Sequence, residues 1–241
     1  AVTSGKIAIA TQGGSITVTR NVTAGGTGTV DLRANGTTSD IAINPATSQT
    51  ATVQSTGGGT LQLYAGQSIT TSTANGTGTE LETTGNLLLQ TGSPLGSDAN
   101  RIEIASAAKL AGTAGNTLFL RKLGTASDLE IGSVSALNFN GLTTFVTGPS
   151  DLSGLTTTAN NGNVTLTTQG GDVTITQAVT AHGSGYVDLR TANAGNLGDI
   201  AINNGATVSS TSGTVQVIAG NTLTTDSASG TTTELATTGN V

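Results

Sequence analysis

The sequence predicts an all-β chain wound as a solenoid, and three observations carry that expectation. Short runs alternate apolar and polar residues with a period of two, the spacing that sends neighbouring side chains to opposite faces of a strand. Glycine- and asparagine-rich corners separate those runs. A long segment of the chain then returns as a second copy, the mark of a repeat array.

The runs can be followed in order. KIAIA (Lys6–Ala10) and SITVT (Ser15–Thr19) open the chain, then TVDLR (Thr29–Arg33) and DIAIN (Asp40–Asn44). TLQLYA (Thr60–Ala65), RIEIA (Arg101–Ala105) and TLFLRK (Thr117–Lys122) follow, and NVTLTT (Asn163–Thr168), DVTITQ (Asp172–Gln177) and TVQVIA (Thr214–Ala219) complete the set. In SITVT, Ile16 and Val18 point one way while Ser15, Thr17 and Thr19 point the other. β-Branched Val, Ile and Thr suit such a surface because their stiff χ1 costs little there. Between runs lie Gly13-Gly14, Gly25-Gly26, Asn35-Gly36, Gly57-Gly58-Gly59, Asn75-Gly76, Asn161-Gly162 and Asn204-Gly205, residues that accept the positive φ of sharp corners. Spacing alone also fits a sandwich or a hairpin barrel. The long repeat, the varied corner lengths and the open ends favour a solenoid of roughly 20–30 residues per winding, about six to eight windings per unit and a rod some 40–60 Å long.

The repeat is explicit. TQGG at Thr11–Gly14 returns at Thr168–Gly171, TVDLR returns as YVDLR at Tyr186–Arg190, DIAIN returns unchanged at Asp199–Asn203, and TELETTGN at Thr79–Asn86 returns as TELATTGN at Thr233–Asn240. Residues 5–87 match 162–241, and 88–161 complete the first unit. The expected organisation is therefore one continuous solenoid: a first unit over 1–161, incomplete at its N-terminal edge, and the first half of a second over 162–241. We read this as a piece of a longer array whose neighbours cover both ends, since an uncovered sheet edge is ready to pair with another chain. The middle segment differs in tone, with Arg101, Lys109, Arg121, Lys122, the alternating Asp128-Leu129-Glu130-Ile131 and all three phenylalanines, Phe119, Phe139 and Phe145. Two readings stand for it, a fatter core with surface ion pairs or a binding patch on each unit.

Composition limits the function classes. Charged residues are 9% and aromatics 2%, with no Cys, Met or Trp. The chain is too apolar and regular for disorder and too poor in helix formers for a helical repeat. A net charge of −6 argues against nucleic acid and anionic lipid. No apolar run approaches the roughly 20 residues of a membrane span, so membrane insertion is not expected. Without cysteine there is neither a disulfide framework nor a thiolate metal site.

Candidate chemistry is sparse, and no catalytic, cofactor or metal residue is assigned. His182 stands in a glycine-rich corner whose match in the first copy is Gly25. Asp31 with Arg33, and Asp188 with Arg190, share a strand face and read as exposed ion pairs worth under about 1 kcal/mol each. The run Gly25–Arg33 resembles a calcium-binding nonapeptide, but Val30 stands where the aspartate belongs. Calcium thus remains only a weak expectation, there or through Asp98 in the loop Gly96–Arg101. Threonine pairs such as Thr17/Thr19, Thr70–Thr71/Thr73 and Thr174/Thr176 raise ice binding, against the simpler reading of Thr as a soluble, outward strand residue. Asn21, Asn35, Asn75 and Asn163 each open an Asn-x-Thr triplet.

Runs such as Gly162–Ala181 and Gly213–Thr225 resemble the repeats of filamentous-haemagglutinin-like exoproteins and related giant β-strand-repeat adhesins of bacterial surfaces. The resemblance lies in the texture G-x-V-x-L-x-x-G-G and covers nearly the whole chain. It implies a right-handed parallel β-helix, export to the bacterial cell surface, and adhesion, aggregation or biofilm roles. The expected function is then a non-catalytic structural shaft of a secreted fibre. Its partners would be adjacent repeats or other copies end to end, and cell-surface glycans or other cells. A self-assembling filament subunit and a glycan- or ice-binding β-helix are the alternatives.

Overall fold

All ten alternating runs contain strands in a computed structural model of the chain, which describes residues 4–44, 46, 50–124, 127–139, 148–193, 196–226 and 233–241. Pro45 and Phe145 fall outside the described residues. No helix occurs among them, and the strands stack in parallel as a β-solenoid of about 8 windings. Ile7 pairs with Val30, Val30 with Leu61, Leu61 with Leu87 and Leu87 with Leu110, so these windings take 23 to 31 residues each.

Two walls enclose the core. The first begins as long strands, Ile7–Thr11, Val30–Ala34, Leu61–Ala65, Asn86–Thr91 and Lys109–Ala114. The second begins as two runs of short strands. One run is Ile16–Val18, Ile41–Ile43 and Ile69–Thr71, continued by Leu95; the other is Val22–Ala24, Val53–Ser55, Leu81–Thr83 and Ile102–Ile104. Midway the walls exchange shape. Lys109–Ala114 pairs onward with two short strands, Leu129–Ile131 through its first half and Leu155–Thr157 through its second. On the opposite side both short runs converge on one long strand, Leu118–Lys122, which continues through Val164–Thr168, Val187–Arg190 and Val215–Ile218.

This exchange sets the geometry of the sequence repeat. Ile7–Thr11 corresponds to Val164–Thr168, yet the two lie on opposite walls. The path between them makes four steps along the first wall, half a winding across and one further step, five and a half windings in all. Fewer windings fill a unit than the spacing predicts, because the described residues 133–139 and Leu152–Ser153 lie outside the column. About eight windings at roughly 4.8 Å give a rod near 38 Å, just under the expected range.

The core is a set of stacked aliphatic columns. Val30, Leu61, Leu87, Leu110, Ile131, Ile175 and Ile202 follow one another in register, all fully buried. A parallel column runs Leu32, Leu63, Leu89, Gly112, Leu155, Val179 and Val208. Each buried Leu or Ile contributes roughly 1.5–3 kcal/mol. At the two ends the stacking opens: Ile9, before Leu32, is 43% exposed, and Leu223, which ends a third row through Leu129, Val173 and Ile200, is 42% exposed.

Two sequence expectations need correction. Thr and Ser are not simply outward residues. Ser55 accepts the Gly59 N–H (2.9 Å) and donates to the Gly28 carbonyl of the preceding winding (2.7 Å); Thr83 does the same for Gly85 and Gly59, and the second copy repeats it with Ser210 and Thr237. A hydroxyl there satisfies two buried backbone groups at once. The corner glycines also serve close approach rather than positive φ alone. A Cβ on Gly59 would lie 1.9 Å from the Gly28 carbonyl oxygen, so only glycine lets the windings stack at this corner.

Residues 133–139 form a strap over the outside of the first wall. Ser133–Val134 pairs antiparallel with Leu152–Ser153, and Val134 packs on outward Leu88 and Ala111. Further along, the backbone of Leu137 bonds Arg33 and Gln62, and the Phe139 ring lies 5.4 Å from the Lys6 ammonium. The strap thus runs back across the windings to the first one.

Candidate functional site

The outward positions of the long strands carry the same three polar groups in each copy. In the first copy Asp31 and Arg33 lie on Val30–Ala34, and Gln62 follows Asp31 in register on the next winding. Arg33 Nε donates to both Asp31 oxygens (3.0 and 2.8 Å), and its Nη2 lies 2.6 Å from Oδ2. Gln62 Nε2 donates to Asp31 Oδ1 at 2.9 Å. All three are fully buried, because the strap covers them. The Leu137 carbonyl accepts from Arg33 Nη2 (2.6 Å) and Gln62 Nε2 (3.2 Å), and the Leu137 N–H donates to Gln62 Oε1 (2.6 Å). The sequence reading made this pair an exposed one. It fails in the first copy because the covering segment comes from about a hundred residues away.

The second copy places Asp188, Arg190 and Gln216 in the matching register on the opposite wall. Arg190 Nε donates to Asp188 Oδ1 (2.6 Å), and Nη2 donates to Gln216 Oε1 (2.8 Å). Nothing among the described residues covers them: the Arg190 side chain is 42% exposed. They line a groove of about 510 Å³ with Asp98, Arg101, Thr167 and Tyr186. Arg101 closes one side, donating to Asp98 Oδ1 (2.7 Å) and Thr167 Oγ1 (3.1 Å). Two guanidiniums and two carboxylates balance one another, so the groove suits an uncharged polar ligand such as a peptide or a sugar. This is the candidate site, and the sequence reading passed over Gln216, Thr167 and their convergence with the loop Gly96–Arg101. The shared spacing from Asp-x-Arg to a glutamine one winding later was the available signal.

The other residues singled out by sequence find structural roles. The Asp31 carboxylate in the calcium-like run is occupied by Arg33 and Gln62, and Asp98 by Arg101. Among the described residues no three His, Cys, Asp or Glu side chains converge on a possible metal position. His182 sits exposed at its corner, where its backbone joins Asn161 and Thr157. Asn21, Asn75 and Asn163 each accept a backbone N–H of the next winding, from Thr52, Arg101 and Tyr186. Asp128, Asp172 and Asp199 form a similar ladder, each accepting an N–H one winding on. The threonines make no flat rank: Ala42 stands between Thr17 and Thr70, and Thr71 and Thr73 are buried.

In the middle segment, charge fills the place where the walls exchange. Lys122 is fully buried and donates to the Gly124 and Gly170 carbonyls (2.5 and 3.1 Å). Burial lowers its pKa against the pull of Asp128. Glu103 is also fully buried, bonded by the Gly76 and Gly78 amides and 3.7 Å from Arg121. Burial pushes its carboxyl above the usual value, helped by neighbouring Glu80; the amides and Arg121 oppose but do not cancel this. A raised folded pKa means the folded state holds the proton more tightly, so this contribution is present at low pH and fades as pH rises through the folded value. The stability difference between wild type and Glu103→Gln should therefore move in favour of wild type between pH 7 and pH 4. Melting both proteins across that range checks it; a wild-type advantage that shrinks on acidification would refute the assignment.

No protein-family model matches this chain, and no curated protein and no solved structure matches it either. Its class rests on its own architecture: a parallel β-solenoid repeat protein. No helix among the described residues is long and apolar enough to cross a membrane.

Proposed function

We propose that the chain is a non-catalytic structural shaft segment of a large secreted bacterial surface fibre, of the adhesion and aggregation class that its repeats resemble. One observation carries this reading. Six acidic and amide side chains are engaged in winding-to-winding bonds, in the Asp128–Asp172–Asp199 ladder and the Asn21, Asn75 and Asn163 contacts. Such ladders hold each winding to its neighbours and suit a load-bearing stack. Electron microscopy of the protein on its native cells should show thin rods of constant width. Compact particles would overturn the reading.

A second reading, assembly end to end, is favoured by the terminal windings. The first presents one long strand followed by two short ones, Ile7–Thr11, Ile16–Val18 and Val22–Ala24. The last presents the same order, Val215–Ile218, Leu223–Thr225 and Leu235–Ala236. Each of these six strands pairs on one side alone among the described residues, so long would meet long and short would meet short. Light scattering over a concentration series tests this: growth supports assembly, and a constant monomer mass defeats it.

A further inference from the structure

The chain contains one polar set twice, once covered and once open. In the covered copy the occupant is the backbone of an uncharged segment, Ala136-Leu137-Asn138, which follows the strand Ser133–Val134 and lies on the outer side of the wall. Its carbonyl is received by an arginine and a glutamine, and its N–H by the same glutamine. In the open copy every receiving group is present. Asp188 holds Arg190 as Asp31 holds Arg33, and Gln216 follows one winding on as Gln62 does.

We propose that the Asp188–Arg190–Gln216 set is a docking site for an extended, uncharged polypeptide segment, gripped by one peptide carbonyl and the N–H of the same residue. Docking breaks one bond within the set and makes another. Gln216 Oε1 now accepts from Arg190 Nη2; on docking it turns to the incoming N–H, and its Nε2 turns to the carbonyl and Asp188. Arg190 Nη2, released, donates to the same carbonyl. A guanidinium bonding a carbonyl away from water makes a stronger contact than a neutral donor. Tyr186, 36% exposed at the edge of the groove where the first copy has Thr29, offers an apolar face to the segment's side chain. The balanced charge of the groove disfavours a highly charged segment. A neutral sugar would meet the same hydroxyl-friendly wall but could not use the paired carbonyl and N–H geometry, which fits a peptide unit. The proposal does not depend on the shaft reading.

The test uses the whole 241-residue chain and a capped heptapeptide, acetyl-Ser-Val-Ser-Ala-Leu-Asn-Phe-amide, which copies residues 133–139. Amide NMR titration should give saturable shifts at the Arg190 Nε–H and the Gln216 side-chain amide, leaving the matched Arg33 and Gln62 signals in place. Arg190→Ala and Gln216→Ala should each weaken binding about tenfold or more. A heptapeptide N-methylated at its leucine should lose affinity comparably, because it has no N–H to offer Gln216. Arg190 is exposed, so its variant should melt close to wild type, and the melting curve separates lost docking from lost folding. Absence of saturation up to the solubility limit, equal binding of the N-methylated peptide, or shifts confined to Arg33 and Gln62 would each overturn the proposal. So would neutral oligosaccharide shifting the same signals while the peptide does not.

Discussion

Arg33→Ala is expected to destabilise the protein by about 3–5 kcal/mol, the usual cost of stranding one member of a buried ion pair. The variant leaves the Asp31 carboxylate, fully buried, with only Gln62 as a donor, and takes one donor from the Leu137 carbonyl. Arg190→Ala removes the same bonds in sequence terms but from a side chain 42% exposed, and should cost no more than about 1 kcal/mol. Replacing Asp31 and Arg33 together by Leu and Met should cost less than Arg33→Ala alone, because no charge is then left unpaired. Chemical denaturation of the four proteins measures all of this. Equal losses at Arg33 and Arg190 would mean that the strap does not shield the first pair from water.

The second large effect belongs to the core. Leu63 is fully buried and stacks between Leu32 and Leu89 in the windings before and after it. Leu63→Ala should cost about 3–5 kcal/mol, the transfer loss of the side chain plus the cavity it leaves. Leu223 follows buried Ile200 in register on the last winding but is 42% exposed. Leu223→Ala should cost at most about 1 kcal/mol, since most of its surface never leaves water. Hydrogen exchange would add the spatial pattern. In a stack held by nearest-neighbour contacts, protection should fall first in windings adjacent to Leu63 and last in distant ones. A uniform loss would point to a single cooperative unit instead.

Much of this architecture is readable in the residues. Period-two alternation located ten strands, and the return of TVDLR and DIAIN exposed the long repeat. Other features left weaker traces. Strands of three residues such as Val53–Ser55 and Leu81–Thr83 hold too few alternations to stand out from a corner. Ser55 and Thr83 look like surface residues because a hydroxyl's inward role depends on backbone groups from another winding. The strap reads as one more winding, since Val134 and Ala136, and then Leu137 and Phe139, are spaced two apart as in a wall strand. Burial of Asp31 and Arg33, and the groove beside Arg190, then depend on where that segment lands, which period and composition do not encode.

The half-winding left over in each unit gives the molecule an approximate twofold screw. One unit advances about 26 Å along the axis and turns the cross-section to face the other way; two units, about 53 Å, restore it. Matched side chains therefore emerge alternately on opposite flanks. A stack that continued by this rule would carry its external braces left, then right, so that neither flank was systematically stiffer, and a bend towards one side would meet the same resistance as a bend towards the other.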